Sequence, residues 1–240
     1  MTLYMPVFFA EPDNQRVASL IEKYGFATLI APASLHISHA PLMLDRGRGA
    51  RGTLVGHLAR ANPHSQAMQD GAMATALFHG PHGYVSPTWY EAPGVPTWNY
   101  AAVHAHGTVR RIDDVDAKWN IVTRLAAQYE AGSATPWNPE TGKTQWLTLL
   151  DAIVGFEIEI TAVEAKFKLS QNRIPTDQEN VIARFEASAH PDGHAMAALM
   201  RENLEIVKKL LQMLRITLIL ILVTELIGLF YSLQLKKQKV

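Results

Sequence analysis

Between Phe78 and Gly107 the sequence reads FHGPHGYVSPTWYEAPGVPTWNYAAVHAHG. Four histidines (His79, His82, His104, His106), two tryptophans (Trp89, Trp98) and three tyrosines (Tyr84, Tyr90, Tyr100) fall within it, and four prolines stiffen its loops. Flat aromatic faces beside donors such as Ser86, Thr97 and Asn99 are what a pocket for a planar, partly polar ligand requires. His104-x-His106 would put two imidazoles on one face of a strand, a spacing compatible with a metal ion. No carboxylate or second histidine stands at a fixed spacing from them, so they read as strand residues that hydrogen-bond a neighbour or a ligand. No metal ligand and no catalytic residue is assigned.

Two further segments are rich in donors. Lys168-Leu169-Ser170-Gln171-Asn172-Arg173 follows an alternating strand, and Arg60-Ala61-Asn62-Pro63 ends another. Each offers an anion several N–H and O–H groups, and each is also an ordinary polar turn. Together with the aromatic run they suit a planar, phosphorylated ligand. Arg46–Gly52 (RGRGARG) is either a loop passing near a ligand or a solvated turn. No dinucleotide fingerprint, P-loop, zinc-protease motif or hydrolase elbow occurs.

The elements that would position these groups follow from periodicity. Residues 14–25 space Val17, Leu20, Ile21 and Tyr24 helically, with Asn14 as N-cap and Gly25 as stop. Phe26–Pro32 and Leu35–Leu44 read as two strands joined by a turn. Thr53–Asn62, Ala72–His79 and Thr108–Ile112 continue the strands. An acidic turn (DDVD) opens a helix over Ala117–Tyr129 with Trp119, Val122, Thr123 and Ala126 on one face. A loop over Gly132–Thr144 and a short helix over Trp146–Ile153 precede Gly155–Phe167, a strand whose Phe156, Ile158 and Ile160 oppose Glu157, Glu159 and Thr161. Six or more strands with only occasional helices predict an α+β fold, mainly β: a closed or partly closed antiparallel barrel with helical decorations.

Composition narrows the function classes. With 240 residues and 48% hydrophobic content the chain can bury a sizeable core. Lys plus Arg equals Asp plus Glu at 22 each, so no global field steers it to a polyanion. The absence of cysteine excludes disulfides, thiolate nucleophiles and thiolate-bound metals. The N-terminal MTLYMPVFFAEPDNQ lacks a basic region and its apolar stretch is broken by Pro6 and Glu11, which predicts a cytoplasmic protein.

GHLARANP (Gly56–Pro63), FHGPHGYVSPTWY (Phe78–Tyr90), VPTWNYAAVHAHG (Val95–Gly107), IVGFEIEI (Ile153–Ile160) and KLSQNR (Lys168–Arg173) occur in an order that resembles the FMN-binding negative transcriptional regulators of the PaiB type. The resemblance spans nearly all of residues 1–203, taken as one domain. It implies an FMN-binding split β-barrel, a homodimer with flavin at the subunit interface, and repression of degradative-enzyme and sporulation genes. By analogy with split barrels, the phosphate is expected near Arg60, Asn62, Lys168 and Ser170, and the ring near Trp89, Trp98, Asn99 and His106, with Gln171 and Ser86 as hydrogen-bond partners. One departure stands out: the family's Gly-Lys-Trp reads Ala165-Lys166-Phe167 here, followed by a second lysine at 168. The neutral charge and lack of a helix-turn-helix leave DNA contact, direct or indirect, without a sequence signature. The rival class is an FMN-dependent oxidoreductase of the flavin-reductase or pyridoxamine-oxidase kind. In a third reading haem fills the pocket, with His104 or His106 as axial ligand.

Residues 204–240 form a second segment of different composition: no alanine, proline, histidine or aspartate, and eleven leucines. Ile216–Leu235 is long enough to span a bilayer as a helix. Glu225 at its middle costs about 2.5–3.5 kcal/mol, against which thirteen aliphatic or phenylalanine residues each contribute roughly −0.3 to −0.6 kcal/mol. Lysines or arginines flank both sides. The segment reads as a membrane anchor, as a helix that packs in a homo-oligomer, or as a C-terminus altered by frameshift or fusion.

Overall fold

A computed structural model describes the backbone over residues 3–237 and side chains to residue 227. The chain divides into two units: residues 1–82 with 98–168, and residues 83–97 with 169–240.

The first unit holds the sheet. Helix α1 (Asn14–Lys23) begins one residue earlier than the sequence implied, because Asp13 rather than Asn14 accepts the Gln15 N–H as its cap. Strands β1 (Phe26–Ala31), β2 (His36–Pro41), β3 (Met43–Asp45) and β4 (Thr53–Ala59) follow, then the single helical turn α2 (His64–Ala67). Strand β5 (Met73–Val85), β6 (Thr97–Ile112) and, after helices α3 (Val115–Glu130) and α4 (Lys143–Leu149), β7 (Ile153–Lys168) complete a seven-stranded sheet of order β2-β1-β5-β6-β7-β4-β3. The pairs β1/β2, β1/β5, β3/β4, β4/β7 and β6/β7 are antiparallel.

The two outermost strands, β2 and β3, are consecutive pieces of one chain, separated only by Leu42. Residues 36–41 pair with β1 and residues 43–45 with β4, so the bend between them brings the two ends of the sheet together into a barrel. The expected strand Leu35–Leu44 is therefore two strands with different partners. Gly56 on β4 makes room for the bend: a Cβ there would lie 2.6 Å from a Leu42 methyl and 3.1 Å from the Pro41 carbonyl oxygen. A second close approach occurs where the β6/β7 register shifts between His106 and Gly107, a bulge that bends both long strands. Leu29, Leu54, Phe78, Val103, Phe156 and Ile158 are buried as the alternation predicts. On the other face of the sheet, Ile121 and Leu125 of α3 pack on Met43, Val55 and Ile112. The buried stripe of α3 is thus Lys118, Ile121 and Leu125, and the neighbouring Trp119, Val122, Thr123 and Ala126 are half-buried. Lys118 tolerates full burial because its ammonium donates to the Leu150 carbonyl at 2.7 Å.

The second unit contains the 83–97 loop, α5 (Pro175–Glu186) and α6 (Gly193–Lys237). The loop is tied down at several points. The Ser86 side chain caps a 3₁₀ turn over Pro87–Trp89, the Glu91 N–H donates to Asp177 at 2.8 Å, and the Arg173 guanidinium lies 4.2 Å over the Tyr90 ring. Val181, Ile182 and Phe185 of α5 and Met196, Ala197, Met200 and Leu204 of α6 are the buried residues where these helices pack.

Candidate functional site

Alternation along β5, β6 and β7 sends one set of side chains inward and gathers the chemically active set on the outer face. Inward go Asn99, Ala101, Val103 and Ala105, all buried; outward go Trp98, Tyr100, His104 and His106. The β6/β7 register sets Tyr100 opposite Lys168, Ala102 opposite Lys166, and His104 opposite Glu164. At one end of this face the His82 ring lies parallel to Trp98, 6.2 Å between centroids, and the Lys168 ammonium donates to the Trp98 carbonyl. Farther along, Lys166 donates to the Tyr4 carbonyl at 2.7 Å and sits over the rings of Tyr4 and Tyr100. Beyond that, His106 Nδ1 meets the Thr75 hydroxyl at 2.9 Å, its Nε2 lies 3.4 Å from a Glu164 carboxylate oxygen, and the same oxygen accepts the Leu3 N–H. Burial lowers the His104 pKa, outweighing the opposite pull of the Glu164 carboxylate.

A second group of donors sits where β4 ends and β7 begins. The Arg60 guanidinium donates to the carbonyls of Asp151 (2.6 Å) and Ile153 (3.0 Å) and stands beside Asp113. Asn62 donates to the Ser38 hydroxyl at 3.0 Å and accepts the His64 N–H. His64 is 1% exposed; its Nδ1 meets the same hydroxyl, its ring stacks on His36, and its Nε2 is buried without a hydrogen-bond partner among the described residues. Burial, and after it the neighbouring His36, lowers the His64 pKa and keeps the imidazole neutral.

The residues expected around a flavin fall into separate places in the chain. Arg60 and Asn62 lie beside the start of β7 at Ile153 and Lys168 at its end, fifteen residues farther along the strand, so they are not one cluster within a chain. Trp98 and His106 are eight residues apart on β6, about 26 Å at the usual rise, far longer than a tricyclic ring. Asn99 is wholly buried on the inward face, opposite to that of Trp98 and His106. In the second unit, Ser86 is a cap, Trp89 packs edge-on against Phe185 at 5.7 Å, and Gln171 accepts the Leu169 N–H at 2.6 Å. Ser170 is buried with φ of 64°, the left-handed conformation that makes the turn after β7 tight. The sequence reading missed Ser38, His36 and His64. The last directly follows the Pro63 at which the donor motif was ended, and the others come from a strand that only barrel closure brings near.

Residues 3–162 match a family model described as "Putative FMN-binding domain". The chain is 30% identical to "Protease synthase and sporulation protein PAI 2" of Bacillus subtilis, over 85% of this chain and 99% of that one. It is 32% identical to an uncharacterized protein of Emericella nidulans, over 72% and 83% of the two chains. Among solved structures it resembles a conserved hypothetical protein of Mycobacterium tuberculosis, with TM-score 0.50, 11% identity and coverage of 72% and 94%, a likeness of fold. The barrel topology, the matched family model and the 30% identity to PAI 2 along 99% of its length agree: this chain is an FMN-binding split-barrel protein and belongs to the PaiB family.

Proposed function

We propose that the chain is a homodimeric, FMN-dependent negative transcriptional regulator, with each flavin shared between two copies. The regulatory reading is carried by the correspondence with PAI 2 along 99% of that protein's length. The shared site is supported by the division of the donors. The residues fit a phosphorylated flavin, because the buried, unpartnered His64 Nε2 beside Asn62 and Ser38 is a nitrogen placed to meet a phosphate oxygen, in a cradle of neutral donors. The flat, half-exposed Trp98 with His82 and Lys168 offers a stacking face and a cation. These two halves stand at opposite ends of β7, too far apart for one ligand in one chain. A two-fold pair that sets one copy's β4 end against its partner's Trp98 end completes two identical sites.

In such a site Asn62 and His64 hold the phosphate and Trp98 carries the ring. Arg60, committed to the Asp151 and Ile153 carbonyls, fixes the strand end from which Asn62 projects. Bound FMN supplies one- and two-electron redox chemistry, which gives a regulator a state to sense. The paired arginines of the 46–52 loop do not form a free basic patch: Arg46 is paired with Glu22, and Arg48 with Glu157. Any DNA contact therefore rests on local groups rather than a long-range field.

The test uses the full chain in mild detergent. Wild type is expected to take up FMN with displaced visible bands and to retain selected genomic fragments in a salt-sensitive manner. Asn62→Ala and Trp98→Ala should each lose FMN, while random equimolar mixing of the two variants restores one intact site per heterodimer, about a quarter of the wild-type flavin content for the mixture as a whole. Heterodimers that recover no flavin would place both halves in one chain. Steady NAD(P)H oxidation without sequence-selective retention would move the protein to the oxidoreductase class.

A further inference from the structure

The middle of the outer barrel face carries a cluster that the flavin reading does not use. One ligand atom each from His104, His106 and Glu164 lies within 4.8 Å of the other two. We propose that these three residues bind a first-row divalent transition ion of the zinc or iron(II) class.

The spacing supports coordination. Two ligand atoms each about 2.0–2.1 Å from a tetrahedral ion stand roughly 3.3 Å apart. His106 Nε2 and the Glu164 oxygen are 3.4 Å apart, already at that separation. The His104 nitrogen, within 4.8 Å of the other two atoms, needs to close by at most about 1.5 Å to reach the same separation. The two imidazoles are side by side on one strand with their planes at 77°, so their nitrogens can approach a common point from different directions.

The surroundings support it too. The other nitrogen of His106 meets the Thr75 hydroxyl at 2.9 Å. A metal-bound histidine characteristically donates its second ring N–H in this way, which fixes the tautomer and aims the lone pair at the ion. Glu164 is buried, and its Oε2 accepts the Leu3 N–H, so the carboxylate is held in place. Two imidazoles and one carboxylate suit zinc, iron(II) and their neighbours; calcium and magnesium demand oxygen ligands. Three protein ligands on an outer face leave at least one coordination position for water or a substrate atom. His104 is six residues from Trp98, about 20 Å along β6, so this site is distinct from the flavin face.

The probe is Co²⁺ titrated into full-length protein without a histidine tag, previously stripped with chelator. Visible ligand-field absorption is expected to saturate at one equivalent and to be displaced by Zn²⁺. His106→Ala and Glu164→Gln should weaken Co²⁺ by at least 100-fold, and Thr75→Ala by about 10-fold. All three variants should keep the wild-type thermal midpoint and FMN uptake, which separates loss of the ion from loss of the fold. The proposal is overturned if wild type shows only the weak spectrum of hydrated cobalt, or if the Glu164→Gln, His106→Ala double variant binds Co²⁺ as tightly as wild type.

Discussion

Glu157 shows how a single side chain can mislead when it is judged by strand alternation alone. It lies on the polar face of β7 yet is buried, because Arg48 and Arg110 both reach it, Arg48 with two parallel hydrogen bonds. The hydrogen bonds from Arg48, and after them those from Arg110, hold its carboxyl below the usual carboxylate range. A carboxyl whose pKa is lower in the folded state stabilises the fold fully above its unfolded value, near 4.3, and ceases to do so as pH falls through the folded value. Glu157→Gln should therefore destabilise the protein by roughly 1–2 kcal/mol at pH 7, a figure reduced because both arginines are half-exposed. The gap from wild type should close as the pH drops below about 4.3. Thermal midpoints of the two proteins between pH 7 and 3 check this, and a gap independent of pH would remove the ion pair as its cause. Such contacts also tie the 46–52 loop to the rest of the first unit. Arg46 and Arg48 are ion-paired to the protein's own acids, something glycine and arginine content alone cannot reveal.

Elements were legible where one periodicity ran unbroken. The apolar spacing of α1 and the strict alternation of β7 gave their positions to within two residues. The β2/β3 bend was not legible, because the segment is one extended run whose two halves differ only in partner, and partners are a property of the closed barrel. β6 was also underestimated: its tryptophan, asparagine and histidines resemble a binding loop in composition, yet sixteen consecutive residues are extended. This explains the mixed outcome at the site. Residue types were legible, but which of them meet was set by register, and Glu164 reaches His106 across 58 residues of sequence. The bulge that sets this register depends on Gly107, where a Cβ would lie 2.2 Å from the Glu159 carbonyl oxygen. Gly107→Ala is expected to cost about 3 kcal/mol, since backbone, not a flexible side chain, must yield. Gly132, with open space where its Cβ would stand, should accept alanine at no measurable cost. Urea midpoints of the two variants read the difference, and equal midpoints would show that the bulge is not sterically enforced.

At the scale of the whole molecule, a barrel whose sheet ends are brought together by one bend contrasts with a helix that leaves its apolar side chains uncovered. α6 runs for 45 residues, roughly 68 Å, and its large apolar side chains from Leu210 to Ile227 are exposed. Among its described side chains, the buried ones lie in the first turns, through Leu204. A helix meant to pair with another protein helix shows an apolar stripe and a polar back. Here leucine, isoleucine and valine occupy all sides of residues 216–227, interrupted by Thr217, Thr224 and Glu225, and the two threonines return their hydroxyls to backbone carbonyls of the preceding turn. All-round apolarity with internally satisfied hydroxyls suits lipid better than a single partner surface. We therefore expect the full chain to float with phosphatidylcholine vesicles in a density gradient, and a chain ending at Asn203 to remain in the dense fraction with its FMN uptake intact. Glu225→Leu removes a cost of about 3 kcal/mol at the helix centre and should raise the floated fraction, whereas Ile221→Arg should lower it by a comparable energy. A full chain that stays out of the vesicles as a discrete oligomer, and that shrinks to a dimer when residues 204–240 are removed, would instead make the helix an assembly device.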